Sequence, residues 1–314
     1  MDVTSKNATY MRVIERYDGQ RLDNFLFREL KGVPRSRVYR LIRRGEVRVN
    51  KKRCKPDLKI NSGDEVRIPP ITVNSEHRIA RISNNLAEML TESVLYESEY
   101  LLVINKPAGL SVHGGTGVRL SLIDALRQIK NGWSELELAH RLDRDTSGCL
   151  VLSKKPNILK ELQEIFKLKS IEKRYLMLVH GCWPRDLIKV EAPLQKNEIS
   201  SGERIVKVVA NGKKSETRFE LLETLTNCSL IEASPITGRT HQIRVHCQYV
   251  GYPIVGDQKY GPKACPEPLK RIKKLCLHAS RIRFSEPESN RPLDIEAPVD
   301  KFFSSVLDKV KLIL

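Results

Sequence analysis

Leu22, Phe25, Leu26 and Leu30 recur at helical spacing, which predicts a helix opening near residue 21. Lys31-Gly32-Val33-Pro34 ends it, because glycine suits the position after a helix and proline cannot continue one. Ser36 stands where the cap of a second helix belongs, with Val38, Leu41 and Ile42 as its apolar side and Gly45 closing it. Val47-Arg48-Val49 starts a short strand that turns at Asn50-Lys51-Lys52, and residues 64–68 read as another strand stopped by Pro69-Pro70. Residues 71–92 are polar and turn-rich, the pattern of a linker. Beyond it, strands are expected at 94–96, 100–104, 173–179, 216–224 and 228–234, with a fully apolar strand at Cys149-Leu150-Val151-Leu152. Helices are expected at 122–129, at 158–168 (Leu159, Leu162, Ile165 and Phe166 on one face) and at about 239–250. Strands and helices mix without regular βαβ alternation, so the fold class is α+β: a small N-terminal α/β unit, then a larger unit whose mixed, mostly antiparallel sheet is flanked by helices. The division is a tail at 1–18, a first unit at 19–70, a linker at 71–93 and a second unit at 94–314.

Charge adds a partner to this outline. The 314-residue chain carries a formal net charge of +17, and +9 of it falls within residues 1–80. Between residues 31 and 59, twelve Lys or Arg face only Glu46 and Asp57. Arg37, Arg40 and Arg44 form one stripe of the second predicted helix, beside the basic turn at Lys51 and Lys52. A merely solvated face is the plainer alternative, but solubility alone mixes the signs, and a single-signed stripe is a phosphate-binding surface. Seven dispersed cysteines without a Cys-x-x-Cys pair support neither a disulfide framework nor a zinc site. The first residues lack the apolar core of a signal peptide, and no apolar run approaches the roughly 20 residues of a membrane span. A soluble cytoplasmic protein is therefore expected.

The densest chemistry lies at His140-Arg141-Leu142-Asp143-Arg144-Asp145-Thr146-Ser147-Gly148, immediately before the apolar strand. Such a charged loop at the mouth of a buried strand is where a scaffold presents reactive groups, although a solvated charged turn has the same composition. Glycosidases set two carboxylates roughly 5–9 Å apart on one sugar, so Asp143 and Asp145 permit a hydrolase without requiring one. Asp145, beside Thr146-Ser147-Gly148, reads better as a turn former bonding local backbone N–H groups. A second constellation is Gly238-Arg239-Thr240-His241-Gln242-Ile243-Arg244, followed by His246. If helical from Arg239, it places His241, Arg244 and Gln248 on one face and turns Ile243 to the core. An arginine there favours the ionised form of a neighbouring carboxylate, and it equally suits a plain RNA-facing surface. His241 and His246 have the wrong spacing for two ligands on one helical face, so a metal is set aside. Tyr175, in Lys173-Arg174-Tyr175, is either a core tyrosine at a sheet edge or a platform for a nucleobase.

These residues also carry a resemblance. Residues 140–148, Lys173-x-Tyr175, residues 238–244, Gly256-Asp257-x-x-Tyr260-Gly261 and Leu275-Cys276-Leu277-His278-Ala279 resemble, in order, the motifs of the RluA-type pseudouridine synthases. Residues 31–34, 45–52 and 63–70 resemble an S4 RNA-binding domain placed in front. Ser285-Glu286-Pro287 departs from the family, which often has histidine before that proline. The resemblance implies conversion of specific 23S rRNA uridines to pseudouridine without cofactor or metal. The N1–C1′ bond breaks, the uracil reorients, and C5 bonds to C1′. It implies Asp143 as the nucleophile or base, attacking C1′ or removing a C2′ proton. Arg244 becomes its cationic partner, Tyr175 the stacking platform, and Arg141 the side chain that fills the space left by the flipped nucleotide. Removing either member of the Asp143–Arg244 pair is then expected to leave the other buried and unpaired. His140 is counted with the RNA-facing residues and assigned to structure near the loop; Arg37, Arg40, Arg44, Lys51 and Lys52 grip RNA in the first unit. The implied partner is 23S rRNA or a large-subunit assembly intermediate, bound by a monomer, with no membrane. A non-catalytic rRNA-binding or assembly factor is the competing reading.

Overall fold

The structure, a computed structural model, describes residues 7–30, 33, 35–71, 80–114, 118, 120–168, 170–198, 204–262 and 269–311. The helix stop at Lys31, Gly32 and Pro34, residues 72–79 of the predicted linker, residues 115–117 and Cys265 lie outside the described residues. The chain divides into two compact units, 1–81 and 82–314.

In the first unit the elements run β1 (Thr9–Arg12), β2 (Gln20–Arg21), α1 (Leu22–Glu29), α2 (Arg35–Arg44), β3 (Arg48–Val49), β4 (Lys52–Arg53), β5 (Lys59–Ile60) and β6 (Glu65–Ile68). One sheet has the order β1-β6-β3-β4, and β2 pairs with β5. Leu22, Phe25, Leu26, Val38, Leu41 and Ile42 close over Val47, Val49 and Val66, the core that the two helical periodicities predict. Val49 pairs with Lys52, so the hairpin turns on Asn50 and Lys51, both with positive φ, as a two-residue turn of this hand requires. Asn50 suits it because its side chain donates to Asp64 and accepts the Glu65 N–H. One difference from the sequence reading is β1, which lies within the stretch read as a tail. Its residues show no apolar alternation, and it is held by main-chain pairing to β6.

The second unit opens with α3 (Asn84–Glu92), in the stretch read as linker. Ser83 caps it by accepting the Leu86 N–H, and Leu90 is wholly buried. A polar, asparagine-rich start hides a helix that a single apolar face holds in place. There follow β7 (Val94–Glu97), β8 (Leu101–Lys106), α4 (Leu122–Leu126), β9 (Glu137–Leu138), β10 (Ser147–Ser153), α5 (Pro156–Lys167), β11 (Glu172–His180), β12 (Lys189–Glu191), β13 (Leu194–Glu198) and β14 (Arg204–Val208). The chain ends with β15 (Glu216–Thr224), β16 (Cys228–Pro235), α6 (Gln242–Tyr249), β17 (Leu277–Ser285), β18 (Pro292–Glu296) and α7 (Lys301–Lys311). The main sheet has the order β12-β15-β16-β11-β17-β10-β8-β7, with β18 on β17 and β9 on β10. Every pairing in it is antiparallel except β10 with β17, as the α+β reading expects.

Alternate residues of β8 and β10 enter two different cores. Leu102, Ile104, Leu150 and Leu152 pack with α4 and Trp133; Leu101, Val103, Cys149 and Val151 pack with α5. Burial on both faces is why this strand reads as a continuous apolar run. At the other end of the sheet, α6 covers Met177 and Val179, while α7 covers Leu178 on the opposite face. Glu286, immediately before Pro287, is buried and bonded by the hydroxyls of Ser98, Tyr96 and Ser289.

Candidate active site

The charged loop enters β10 through Gly148, which has φ +107 and sits against the backbone of β17. A Cβ there would collide with the Ala279 carbonyl oxygen, so only glycine permits the parallel pair Ser147–His278 and Gly148–Ala279. The pair is locked by side chains. His278 Nε2 faces the Ala297 carbonyl, which only accepts, so it carries the hydrogen, and Ser147 donates to Nδ1 at 2.8 Å.

Lys106, at the end of β8, is 0% exposed. Its ammonium donates to the carbonyls of Pro107, Arg144 and Thr146 at 2.8–2.9 Å and so ties the loop together from beneath. Burial pulls its pKa down to about 8, with Asp145 and Asp143 acting the other way. Gly109 and Arg144 exchange two further bonds across the same seam. Leu142 and Thr146 point inward, Arg141, Arg144 and Asp145 point out, and Asp143 is half-buried between them. The turn is closed by the Thr146 N–H bonded to the Asp143 carbonyl. Asp145 instead reaches Arg144 at 3.7 Å in solvent, so its predicted turn-forming bonds are supplied by the main chain.

Asp143 Oδ2 lies 3.3 Å from Arg244 Nη1. The stronger grip of Arg244 is on Asp257, through a bidentate pair at 2.7 and 2.8 Å. Asp257 also accepts the N–H groups of Lys259 and Tyr260. Burial opposes the charge on Arg244, but the bonds to Asp257 and then Asp143 outweigh it and raise its pKa. Asp257 is the mirror case, its burial cost exceeded by Arg244, so its pKa is lowered. Thus Arg244 bridges two carboxylates, and the expected exclusive pair with Asp143 is corrected to a triad.

The helix carrying Arg244 begins at Gln242, not near Arg239, because His241 adopts φ 54, ψ 19 in the left-handed region. Gln248, one turn further along the same helix, is exposed and does not line the cavity described below. The segment before the helix is pinned by a polar network: Thr237 to Gln242, Gln242 to Thr217, Thr217 to His246 Nδ1, and His246 Nε2 to Ser215. His241 places Nε2 3.8 Å from Asp143 Oδ2 and Nδ1 2.7 Å from the Tyr260 hydroxyl.

Tyr175 sits at a bulge where the β11–β17 register shifts between Arg174 and Leu176. Bulges re-aim side chains. Its ring bridges two apolar clusters, and burial, then the charge of Asp143, pushes the phenol pKa up, so it remains an uncharged aromatic surface. Asp143, Tyr175, Arg244, His241, His140 and Arg141 all line one cavity of about 550 Å³. That lies within the roughly 300–1,000 Å³ usual for small-ligand clefts. Among the described residues Asp143 is the one acidic residue lining it, against Arg141, Lys167, Lys173, Arg239 and Arg244. Lys173 shares the strand face of Tyr175, and burial lowers its pKa. His140 is tied into the sheet. Its Nε2 accepts the Val151 N–H at 3.0 Å, its ring lies 4.7 Å from Phe166, and burial, then the charge of Lys173, lowers its pKa to about 3. Among the described residues no group of three or more His, Cys, Asp or Glu is placed to hold a metal ion.

In the first unit Arg40, Arg44, Lys51 and Lys52 are exposed, and Arg37 is half-buried. The structure brings the sequence-predicted Asp143, Arg244, Tyr175 and Arg141 to one cavity, while sequence reasoning gave no role to Lys106, Asp257, His241 or Tyr260. Asp257 and Tyr260 carried a signal in the Gly256-Asp257-x-x-Tyr260-Gly261 motif. Lys106 carried only its place before Pro107.

Residues 100–249 match the RNA pseudouridylate synthase family, and residues 20–66 match the S4 domain family. The chain is 48% identical over 311 residues to "Ribosomal large subunit pseudouridine synthase C" of Haemophilus ducreyi, covering 98% of this chain and 97% of that protein. It is 47% identical over 299 residues to the protein of the same name from Escherichia coli, covering 93% of each. Among solved structures it resembles "Human RNA Pseudouridylate Synthase Domain Containing 4", with a TM-score of 0.61 and 27% identity over 72% of this chain and 96% of that one.

Proposed function

The chain belongs to the RluA family of RNA pseudouridine synthases, with an S4 domain in front, and from that premise we propose that it isomerises specific uridines of 23S rRNA through Asp143. The observation that carries this reading is a lone carboxylate in an otherwise cationic cavity, held by a cation and set beside an aromatic ring. In the reaction the N1–C1′ bond breaks, the freed uracil turns, C5 bonds to C1′, and C5 gives up a proton while N1 gains one. Asp143 acts at the sugar, at C1′ or on the C2′ proton. Arg244 keeps its carboxylate oriented and is itself held by Asp257. Tyr175 offers its face to the uracil, worth about 1–3 kcal/mol per stacked base. Arg141, exposed at the rim of the cavity, fills the gap left by the extruded nucleotide and offsets part of a flipping cost of a few kcal/mol. The S4 unit adds sequence-independent grip through Arg37, Arg40, Arg44, Lys51 and Lys52.

The relatives are named for the large ribosomal subunit, which supports a substrate of 23S rRNA or of a large-subunit precursor. The partner is taken as RNA bound by a monomer in the cytoplasm; no helix among the described residues is long and apolar enough to cross a membrane. The test is Asp143→Ala on purified 23S rRNA, with pseudouridines mapped by chemical modification and primer extension. Loss of modification with retained RNA binding is expected, and full activity would remove Asp143 from its role. Release of free uracil by the wild type would indicate a hydrolase, and binding without any modification would indicate an assembly factor.

A further inference from the structure

His241 has no assigned part in the chemistry above, yet it occupies costly ground. It is a non-glycine residue at φ 54, a conformation that L-residues avoid unless their surroundings impose it. Its side chain ends a buried relay. The Val206 N–H donates to the Tyr260 hydroxyl oxygen at 3.0 Å, and that hydroxyl lies 2.7 Å from His241 Nδ1. Tyr260 is only 2% exposed, and among the described residues Nδ1 is the acceptor its hydroxyl hydrogen reaches. Were Nδ1 protonated, that hydrogen would be stranded in the interior. The hydroxyl therefore donates to Nδ1, and the imidazole hydrogen sits on Nε2.

Nε2 in turn faces Asp143 Oδ2 at 3.8 Å, the same oxygen that Arg244 Nη1 approaches at 3.3 Å. Among the described residues Oδ1 receives no hydrogen bond. Arg244 thus hydrogen-bonds Oδ2, His241 Nε2 stands a few tenths of an ångström beyond hydrogen-bond distance from the same oxygen, and Oδ1 is left open. The geometry points to His241 as a positioning residue that, fixed in the Nε2–H tautomer by Tyr260, anchors Asp143 Oδ2 and so presents Oδ1 to the reacting sugar. Burial keeps the imidazole neutral, with Asp143 acting against this and Arg244 and Lys259 in its favour. A neutral donor holds the carboxylate without delivering the proton that would quench it. Arg244 alone fixes one line of approach, while a second donor removes the remaining rotation about it.

The inference rests on the proposed function, so its test has an arm independent of activity. Nitrogen-15 NMR of histidine-labelled wild-type protein is expected to show His241 as the Nε2–H tautomer; the Nδ1–H form overturns the proposal. In single-turnover pseudouridine formation on 23S rRNA, His241→Ala is expected to lower the rate roughly 10- to 100-fold, the scale of a misplaced reacting group, with RNA affinity unchanged within about 2-fold. His241→Gln, whose amide N–H reaches the position of Nε2, recovers most of that loss, and Tyr260→Phe, which releases the tautomer, falls between. A folded His241→Ala protein with the wild-type rate, or a His241→Gln variant no better than alanine, overturns it. Wild-type protein with no isomerase activity would refute the functional reading and leave the tautomer result to stand or fall by itself.

Discussion

At the scale of residues, the site is organised by which charges are shared. Arg244 spends its bidentate face on Asp257 and only one N–H on Asp143. The two deletions that look equivalent from sequence therefore separate. Asp143→Ala leaves Arg244 paired, and its unfolding free energy is expected to stay within about 1 kcal/mol of wild type. Arg244→Ala strands a fully buried Asp257 carboxylate and is expected to cost about 3–5 kcal/mol. Urea denaturation of both variants checks this; equal losses would dissolve the triad. Lys106 gives a pH signature. Its pKa of about 8 in the folded protein lies below the roughly 10.4 of an unfolded lysine, so folding is relieved of the buried charge as pH rises from 8 toward 10.4. Over the same range the ammonium loses one of the three hydrogens that hold the carbonyls of Pro107, Arg144 and Thr146. Activity is thus expected to decline through about pH 8 while this group's contribution to stability rises. A rate profile flat to pH 10 would contradict that. Asp143, Arg244, Tyr175 and Arg141 were legible because the motifs that contain them are dense in chemistry. Lys106 was not, since a buried lysine and a surface lysine look alike until the carbonyls around it are known.

At the scale of elements, the loop reaches the cavity because one parallel pair interrupts an antiparallel sheet. Gly148 permits that pair by its positive φ and by its close approach to Ala279. Gly148→Ala is expected to cost at least about 2 kcal/mol and to reduce activity, because the strand must move and the loop moves with it. A melting temperature equal to wild type would show that the seam yields. Strands with strong patterning were read closely: the structure has residues 216–224 as one strand, as expected, and β16 and β11 within a residue or two. Elements held by tertiary packing and pairing were missed. β1 has no apolar period, α3 begins with two asparagines, and α6 starts three residues late because His241 leaves the helical region to face Asp143.

At the scale of the whole molecule, a chain of net charge +17 joins two units that each present cations. Linked grips on one RNA raise its effective concentration at the second unit. Neutralising Arg37, Arg40 and Arg44 together is expected to weaken rRNA binding and to lower the slope of log affinity against log salt by about 0.7–0.9 for each phosphate left without its cation. An unchanged slope would show that this stripe does not meet RNA. The sequence by itself determined the two-unit plan, the mixed sheet, the RNA-seeking charge and the loop that carries Asp143, because apolar period, charge sign and residue type act locally and survive in one dimension. Only the tertiary structure decided that Arg244 answers first to Asp257, that Lys106 is buried beneath the loop, and that the Tyr260 hydroxyl meets His241. Those facts depend on which distant groups meet in a space closed to water, where every hydrogen bond must find its partner.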